Sequence, residues 1–205
     1  MVGTLVYVMG PSGSGKDSLI AHVRQGPCAI YAMTWNISST AQSILGPILR
    51  PIFFARRYIT RPMNAGGEQH YPVTQEEFQF RKKQGDFALA WESHGLCYGI
   101  GADIDTHLAA GAVVVVNGSR AYLPEALRRY PSLLPVLIAA RPDVLRERLE
   151  KRGRENRANI DERLAGASLR PEVSALIQID NSGSLAEAGR IFSDLFHRLR
   201  HQTAH

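Results

Sequence analysis

Residues 10–17 read Gly-Pro-Ser-Gly-Ser-Gly-Lys-Asp. Glycines at 10, 13 and 15 free the backbone to take positive φ and to bring successive N–H groups against phosphate oxygens, and a lysine follows to neutralise them. The chemistry such a loop performs is to hold the phosphates of ATP. Lys16 is therefore a catalytic candidate. Gly10, Pro11, Ser12, Gly13, Ser14, Gly15, Lys16, Asp17 and Ser18 are candidates for the nucleotide site. Asp17 stands where such loops usually carry a Ser or Thr hydroxyl for Mg²⁺; a carboxylate can hold that ion directly or through water, which makes Asp17 the metal candidate. The Ser18 hydroxyl, one step further along a helix, points about 100° away. ATP and Mg²⁺ are the expected cofactors.

The loop needs a strand before it and a helix behind it, and the chain supplies both. Apolar runs at Leu5–Met9, Ala112–Val116, Leu133–Ala140 and Ala175–Ile179 read as strands. Helical patterns are predicted near Asp17–Arg24, Asp103–Ala109, Leu123–Arg129, Asp143–Lys151, Ile160–Ala167 and Leu185–Leu199. Continuous rather than alternating apolar strands, joined through helices, predict an α/β sandwich: a parallel sheet covered on both faces. Residues 55–102 break this rhythm; they are mixed and polar, with one short helix expected at Glu76–Gln84.

Composition narrows the class. The 205 residues suit one domain, and 44% hydrophobic with 21% charged residues is ordinary for a globular protein. The net charge of +5 fits a phosphate-rich ligand as well as nucleic acid, so the placement of the arginines decides. Residues 141–163 hold eight Lys/Arg against six Asp/Glu, too balanced for a nucleic-acid stripe, and no nucleic-acid partner is expected. Cys28 and Cys97 are the only cysteines and read as reduced thiols, which with the absence of a signal-peptide pattern predicts a cytoplasmic protein. The apolar stretch Ile44–Phe54 is interrupted by Gly46, Pro47, Arg50 and Pro51, so no membrane partner is expected. Segment 26–54, with Trp35, Phe53 and Phe54, either packs on its own core or forms a subunit contact, which leaves a homo-oligomer open.

Beyond the loop, a string of segments resembles the guanylate kinase branch of the nucleoside monophosphate kinases: Tyr58-Ile59-Thr60-Arg61-Pro62, Glu76-Glu77-Phe78, the Gly95–Gly99 turn with Tyr98, and Arg148, Arg152-Gly153 and Arg163. Gly-Lys-Asp-Ser-Leu at 15–19, Arg57-Tyr-Ile-Thr-Arg61, Asn117-Gly-Ser-Arg120 and Arg152-Gly-Arg-Glu-Asn156 are similar, within that branch, to the ribose 1,5-bisphosphate phosphokinases. The likeness spans most of the chain outside about 26–54. It implies a P-loop NTPase three-layer sandwich in one kinase domain, with core 1–54, 103–149 and 164–205, an acceptor-binding arm at about 55–102 and a short lid at about 150–163.

The resemblance also implies roles. Arg148, Arg152 and Arg163 would converge with Lys16 on the transferring group, with Arg154 and Arg157 nearby; the competing reading of this run is a salt-bridged exposed helix pair. Arg57, Arg61 and Tyr98 would grip a phosphate of the acceptor, and Asn117, Ser119 and Arg120, at the carboxyl end of a strand, would meet acceptor or metal-bound water. Where a guanine pocket carries a base-reading carboxylate, this chain has Leu89, and the second arginine of the guanylate pattern aligns near Asn64. A phosphate grip is kept and a base grip lost, which implies a small-molecule sugar bisphosphate substrate and ATP-dependent formation of 5-phosphoribosyl 1-diphosphate. The rival readings are a nucleoside monophosphate kinase and a non-catalytic interaction module, the latter able to dispense with a loop that is intact here. Asp103 and Asp105 are expected as helix-start residues, and Asp180-Asn181 either meets the donor base or makes a turn. His22, His70, His94 and His107 form no ligand spacing.

Overall fold

The computed structural model describes residues 2–26, 49–63, 68–153, 160–161, 164 and 171–201. Cys28, Trp35, Pro47, Asn64, Arg154, Arg157, Arg163 and the side chain of Arg152 lie outside this description. So do most of segment 26–54, most of the lid run and most of the helix expected at Ile160–Ala167, of which Ile160, Asp161 and Leu164 are helical.

The elements, in chain order, are β1 (Thr4–Met9), α1 (Lys16–Gln25), β2 (Ile52–Phe54), β3 (Arg57–Ile59), β4 (Tyr71–Pro72), α2 (Gln75–Gln84), β5 (Phe87–Ser93) and β6 (Leu96–Gly101). They continue with α3 (Asp103–Ala109), β7 (Val113–Asn117), α4 (Leu123–Arg129), β8 (Leu134–Ala139), α5 (Pro142–Arg152), β9 (Ile177–Asp180) and α6 (Leu185–His201). The core sheet has five parallel strands in the order β2-β7-β1-β8-β9.

Both faces of this sheet are buried, which is why its strands are apolar without alternation. Val6 and Val8 face α1 and α6, packing among Leu19, Val23, Phe192 and Phe196. Leu5, Tyr7 and Met9 face the other way, among Ile104, Leu123, Leu89 and Trp91. Each such large side chain contributes roughly 1.5–3 kcal/mol by leaving water. The α1–α6 crossing is close because residue 189 is glycine: a Cβ there would stand 2.4 Å from His22 Cδ2.

A second sheet, β4-β3-β6-β5, fills residues 57–101, where only the α2 helix was expected. Its strands are short, and a register shift between Phe87 and Leu89 blurs the alternation of the longest. Strand β2, which completes the core sheet, was likewise not expected. The last core strand starts at Ile177 rather than Ala175, because Ala175 sits at φ 61°, outside the extended region. The expected helix-start aspartates do lie in the first turn of α3, but its N-cap is Ala102, and Asp105 instead accepts from Tyr130 Oη at 2.6 Å and Arg129 at 3.0 Å.

Arg50, one of the residues that break the apolar stretch before β2, is 8% exposed. Its Nε donates to the Gly111 carbonyl (2.9 Å), Nη1 to Leu199 (3.3 Å) and Nη2 to Thr4 Oγ1 (2.9 Å), while Arg200 Nε donates back to the Arg50 carbonyl (2.9 Å). One guanidinium thus ties the start of β1, the turn before β7 and the end of α6. Burial pulls its pKa down. Arg50→Met removes the donors and strands the carbonyls; we expect a loss of about 2–4 kcal/mol, a fall in Tm of about 5–15 °C, with nucleotide affinity retained. A melting curve matching the parent would show that the clamp carries no stability.

Candidate active site

Strand β1 delivers the loop to the carboxyl edge of the core sheet, and α1 begins at Lys16. Gly13 and Gly15 have φ of 85° and 79°, a region costly for side-chain-bearing residues. A Cβ on Gly15 would also stand 2.5 Å from Asn181 Nδ2, and one on Gly10 2.4 Å from the Ile138 carbonyl. The loop is therefore fixed by its glycines and by walls from β8 and the end of β9. Asn181, 2% exposed, donates from Nδ2 to the Ser14 carbonyl at 2.7 Å. Asp180-Asn181 makes a turn, with Asp180 Oδ1 accepting from the Ser182 N–H at 2.9 Å, and Asn181 braces the phosphate loop.

Arg148 on α5 reaches this loop. Its Nη1 is 3.7 Å from where a Gly15 Cβ would be, is buried, and has no hydrogen-bond partner among the described residues. Helix α5 seats it through Leu145 and Leu149, which pack at Gly13. Arg146 on the same helix pairs with Asp161 at 2.8 Å, so the exposed side of α5 does form salt bridges while Arg148 turns inward. Ser18 is exposed, one step round α1 from the loop.

Asp17 looks across the cleft toward β7 and the arm. Asn117 Nδ2, at the end of β7, donates to Asp17 Oδ1 at 2.7 Å and to Glu68 Oε2 at 3.2 Å. The other Glu68 oxygen is ion-paired with Arg57 Nη2. Arg57 is 8% exposed and lies over the Tyr98 ring, 5.1 Å from its centroid, so it is no solvated companion of Arg56, which sits over Tyr71. Glu68 is a site residue that the sequence did not reveal.

Arg61 follows β3 on the arm. Its Nε is buried without a partner among the described residues, as is Arg57 Nε. His70 holds this part of the arm in shape: Nε2 faces the Arg61 carbonyl at 2.9 Å and Nδ1 the Glu68 carbonyl at 3.2 Å. Its buried ring is a structural tie between the segments that carry Arg61 and Glu68.

The wall beside that grip is aromatic. Trp91 stacks between Tyr98 (centroids 5.5 Å apart) and Tyr122 (5.4 Å), and Leu89, 1% exposed, lies in the same cluster. Leu89 sits where a base-reading carboxylate was expected to be lost, and it is packed as core. Past Asn117, the Tyr7 hydroxyl accepts from the Ser119 N–H and donates to its carbonyl, both at 2.9 Å, and burial pushes the phenol well up in pKa. The Tyr7 ring lies so close that a Cβ on Gly118 would be 2.1 Å away, which fixes the turn from which Arg120 projects. Partial burial lowers the Arg120 pKa.

Cations outnumber carboxylates here: Lys16 opens α1 at the loop, Arg148 reaches Gly15 and Arg57 pairs with Glu68, a balance that attracts anions. A divalent cation also suits the site. Asp17, Glu68 and Asn117 offer hard oxygens, and Asn117 Oδ1 is buried without a partner among the described residues. No cluster of three or more His, Cys, Asp or Glu occurs among the described residues. No helix among the described residues is long and apolar enough to cross a membrane.

No protein-family model matches the chain. Ribose 1,5-bisphosphate phosphokinase PhnN of Desulfomicrobium baculatum is 48% identical over 192 residues, covering 93% of this chain and 92% of that protein. The protein of the same name from Burkholderia mallei is 49% identical over 199 residues, 95% of this chain and 96% of that one. Among solved structures, the guanylate kinase from Anaplasma phagocytophilum aligns over 98% of this chain and 88% of its own with a TM-score of 0.62 at 15% identity, a likeness of fold.

Proposed function

The chain belongs to the ribose 1,5-bisphosphate phosphokinase family, and from that membership we propose that it transfers the γ-phosphoryl group of ATP to the 1-phosphate of ribose 1,5-bisphosphate, giving 5-phosphoribosyl 1-diphosphate and ADP. The observation that carries the acceptor assignment is the presence on the arm of Arg57 and Arg61 together with Leu89 packed as core. Arginine forks match phosphate oxygens, while a buried leucine in place of a base-reading carboxylate offers a purine edge no hydrogen-bond partner.

An oxygen of the 1-phosphate attacks the γ-phosphorus as the bond to the β–γ bridging oxygen breaks, and ADP leaves. A phosphate monoester with a second pKa of about 6 is already ionised at neutral pH, so no general base is needed. Charge is the obstacle: two like unit charges about 4 Å apart cost about 4 kcal/mol at an effective dielectric of 20, and several such pairs meet. The loop N–H groups and Lys16 hold the donor phosphates, and Arg148 faces the transferring group from α5. The family resemblance assigns Arg152 and Arg163 to the same work. Arg57, Arg61 and Tyr98 hold the 5-phosphate, with Asn117 and Arg120 at the other end of the sugar. Asp17 would hold Mg²⁺, which would supply positive charge to the donor phosphates. The setting we infer is cytoplasmic, in phosphonate catabolism or the general supply of phosphoribosyl diphosphate.

Phosphorus NMR of the purified protein with Mg²⁺–ATP and separate acceptors tests this. A new diphosphate from the sugar acceptor is expected; preferential formation of GDP from GMP would overturn it. Arg61→Ala should raise the acceptor KM about 10- to 100-fold with a smaller change in kcat, the loss of a charge-assisted phosphate contact. An acceptor saturation curve unchanged by the substitution would remove Arg61 from the site.

A further inference from the structure

We propose that the acceptor arm carries a metal ligand: Glu68, with Asp17 and the side-chain oxygen of Asn117, forms the protein's share of the Mg²⁺ shell, so that the ion joins the donor loop to the arm. This rests on the reading above, in which Asp17 faces the ATP-borne ion.

Three observations lead to it. First, a single amide nitrogen, Asn117 Nδ2, serves one oxygen of each carboxylate, so Asp17 Oδ1 and Glu68 Oε2 can be no more than 5.9 Å apart, the two hydrogen-bond lengths end to end. A hydrated Mg²⁺ spans such a gap, taking one carboxylate directly and the other through a water. Second, Asn117 is 5% exposed and its Oδ1 is buried with no donor among the described residues. A buried carbonyl oxygen without a donor is costly, and rotation of the amide about its last bond turns that oxygen toward the two carboxylates. Third, Glu68 divides its work: one oxygen holds Arg57 and the other points to Asn117 and the P-loop side. Orienting Arg57 uses only the first.

Charge gives the same answer. Two carboxylates beside a triphosphate repel it, and a divalent cation between them cancels their charge. Because Glu68 belongs to the arm and Asp17 to α1, an ion held by both ties the arm to the donor loop.

Mn²⁺ serves as the probe, titrated into the protein saturated with ADP while free Mn²⁺ is followed by electron paramagnetic resonance. Glu68→Gln and Asp17→Asn should each weaken Mn²⁺ binding about tenfold or more, whereas Glu68→Asp, which keeps a carboxylate, should lose less. ADP affinity measured without metal confirms that each variant is folded. Parent-like Mn²⁺ binding by Glu68→Gln overturns the proposal, and a raised acceptor KM in that variant would then leave Glu68 as a positioning residue for Arg57. Parent-like binding by Asp17→Asn overturns the shared shell together with the metal role of Asp17. Failure of the kinase reading would show separately, as no product from ribose 1,5-bisphosphate in a protein whose Mn²⁺ binding is intact.

Discussion

Lys16→Ala is expected to lower kcat by about 10³-fold or more while leaving the melting temperature close to that of the parent. Lys16 opens α1 at the point where two left-handed glycines turn the backbone toward the phosphates, and it lies outside both hydrophobic clusters. On the donor assignment proposed above, its ammonium offsets the repulsion that makes phosphate a poor acceptor. Alanine is a strong helix former, so the substitution leaves α1 intact and removes the ammonium. Single-turnover phosphorylation of the sugar acceptor, read beside a thermal melt, checks both halves. A near-normal rate would refute the donor assignment.

Arg148→Ala should cost about 10²- to 10³-fold in kcat, with little loss of stability. The partner balance of its guanidinium sets it apart from its neighbours on α5. Nη1 is buried at the loop and makes no hydrogen bond to any described residue, so its removal breaks none there and ends a desolvation cost. A side chain kept for salt bridging would resemble Arg146, which is exposed and paired with Asp161. Steady-state kinetics should show kcat and kcat/KM falling together, the signature of an interaction made in the transition state. A variant that melts several degrees lower yet turns over normally would make Arg148 a structural residue.

The parts of this site that the sequence exposed are those encoded by near neighbours. The phosphate loop is one contiguous run, and its glycines are required by backbone geometry that involves few other residues. The core strands were legible because burial on both faces leaves them no polar positions. The arm sheet was not, since β3 and β4 are three and two residues long and β5 changes register after Phe87. Glu68 escaped notice for a different reason. It is one carboxylate in a short polar stretch, and its partners Asn117 and Arg57 are brought to it only by the folded arm. Arg50 read as a residue that spoils an apolar run; only the folded chain shows it wrapped by two carbonyls and a hydroxyl from three distant segments. His70 had no ligand spacing because what it binds is backbone.

The arm joins the core through very little chain. Two residues, Ala55 and Arg56, separate β2 from β3, and Ala102 alone separates β6 from α3; Ala55 still donates to the Val115 carbonyl at 2.9 Å, prolonging the core ladder into the junction. Tethers this short have no slack, and Leu89, Trp91 and Ile100 of the arm are buried in one cluster with Leu5, Tyr7 and Met9 of the core, so the arm cannot slide or drift away. Acceptor choice therefore resides in a cassette with fixed attachment points. Whoever grafts a different cassette between Phe54 and Asp103 has two seams to match, that apolar face and the polar one at the amide of Asn117.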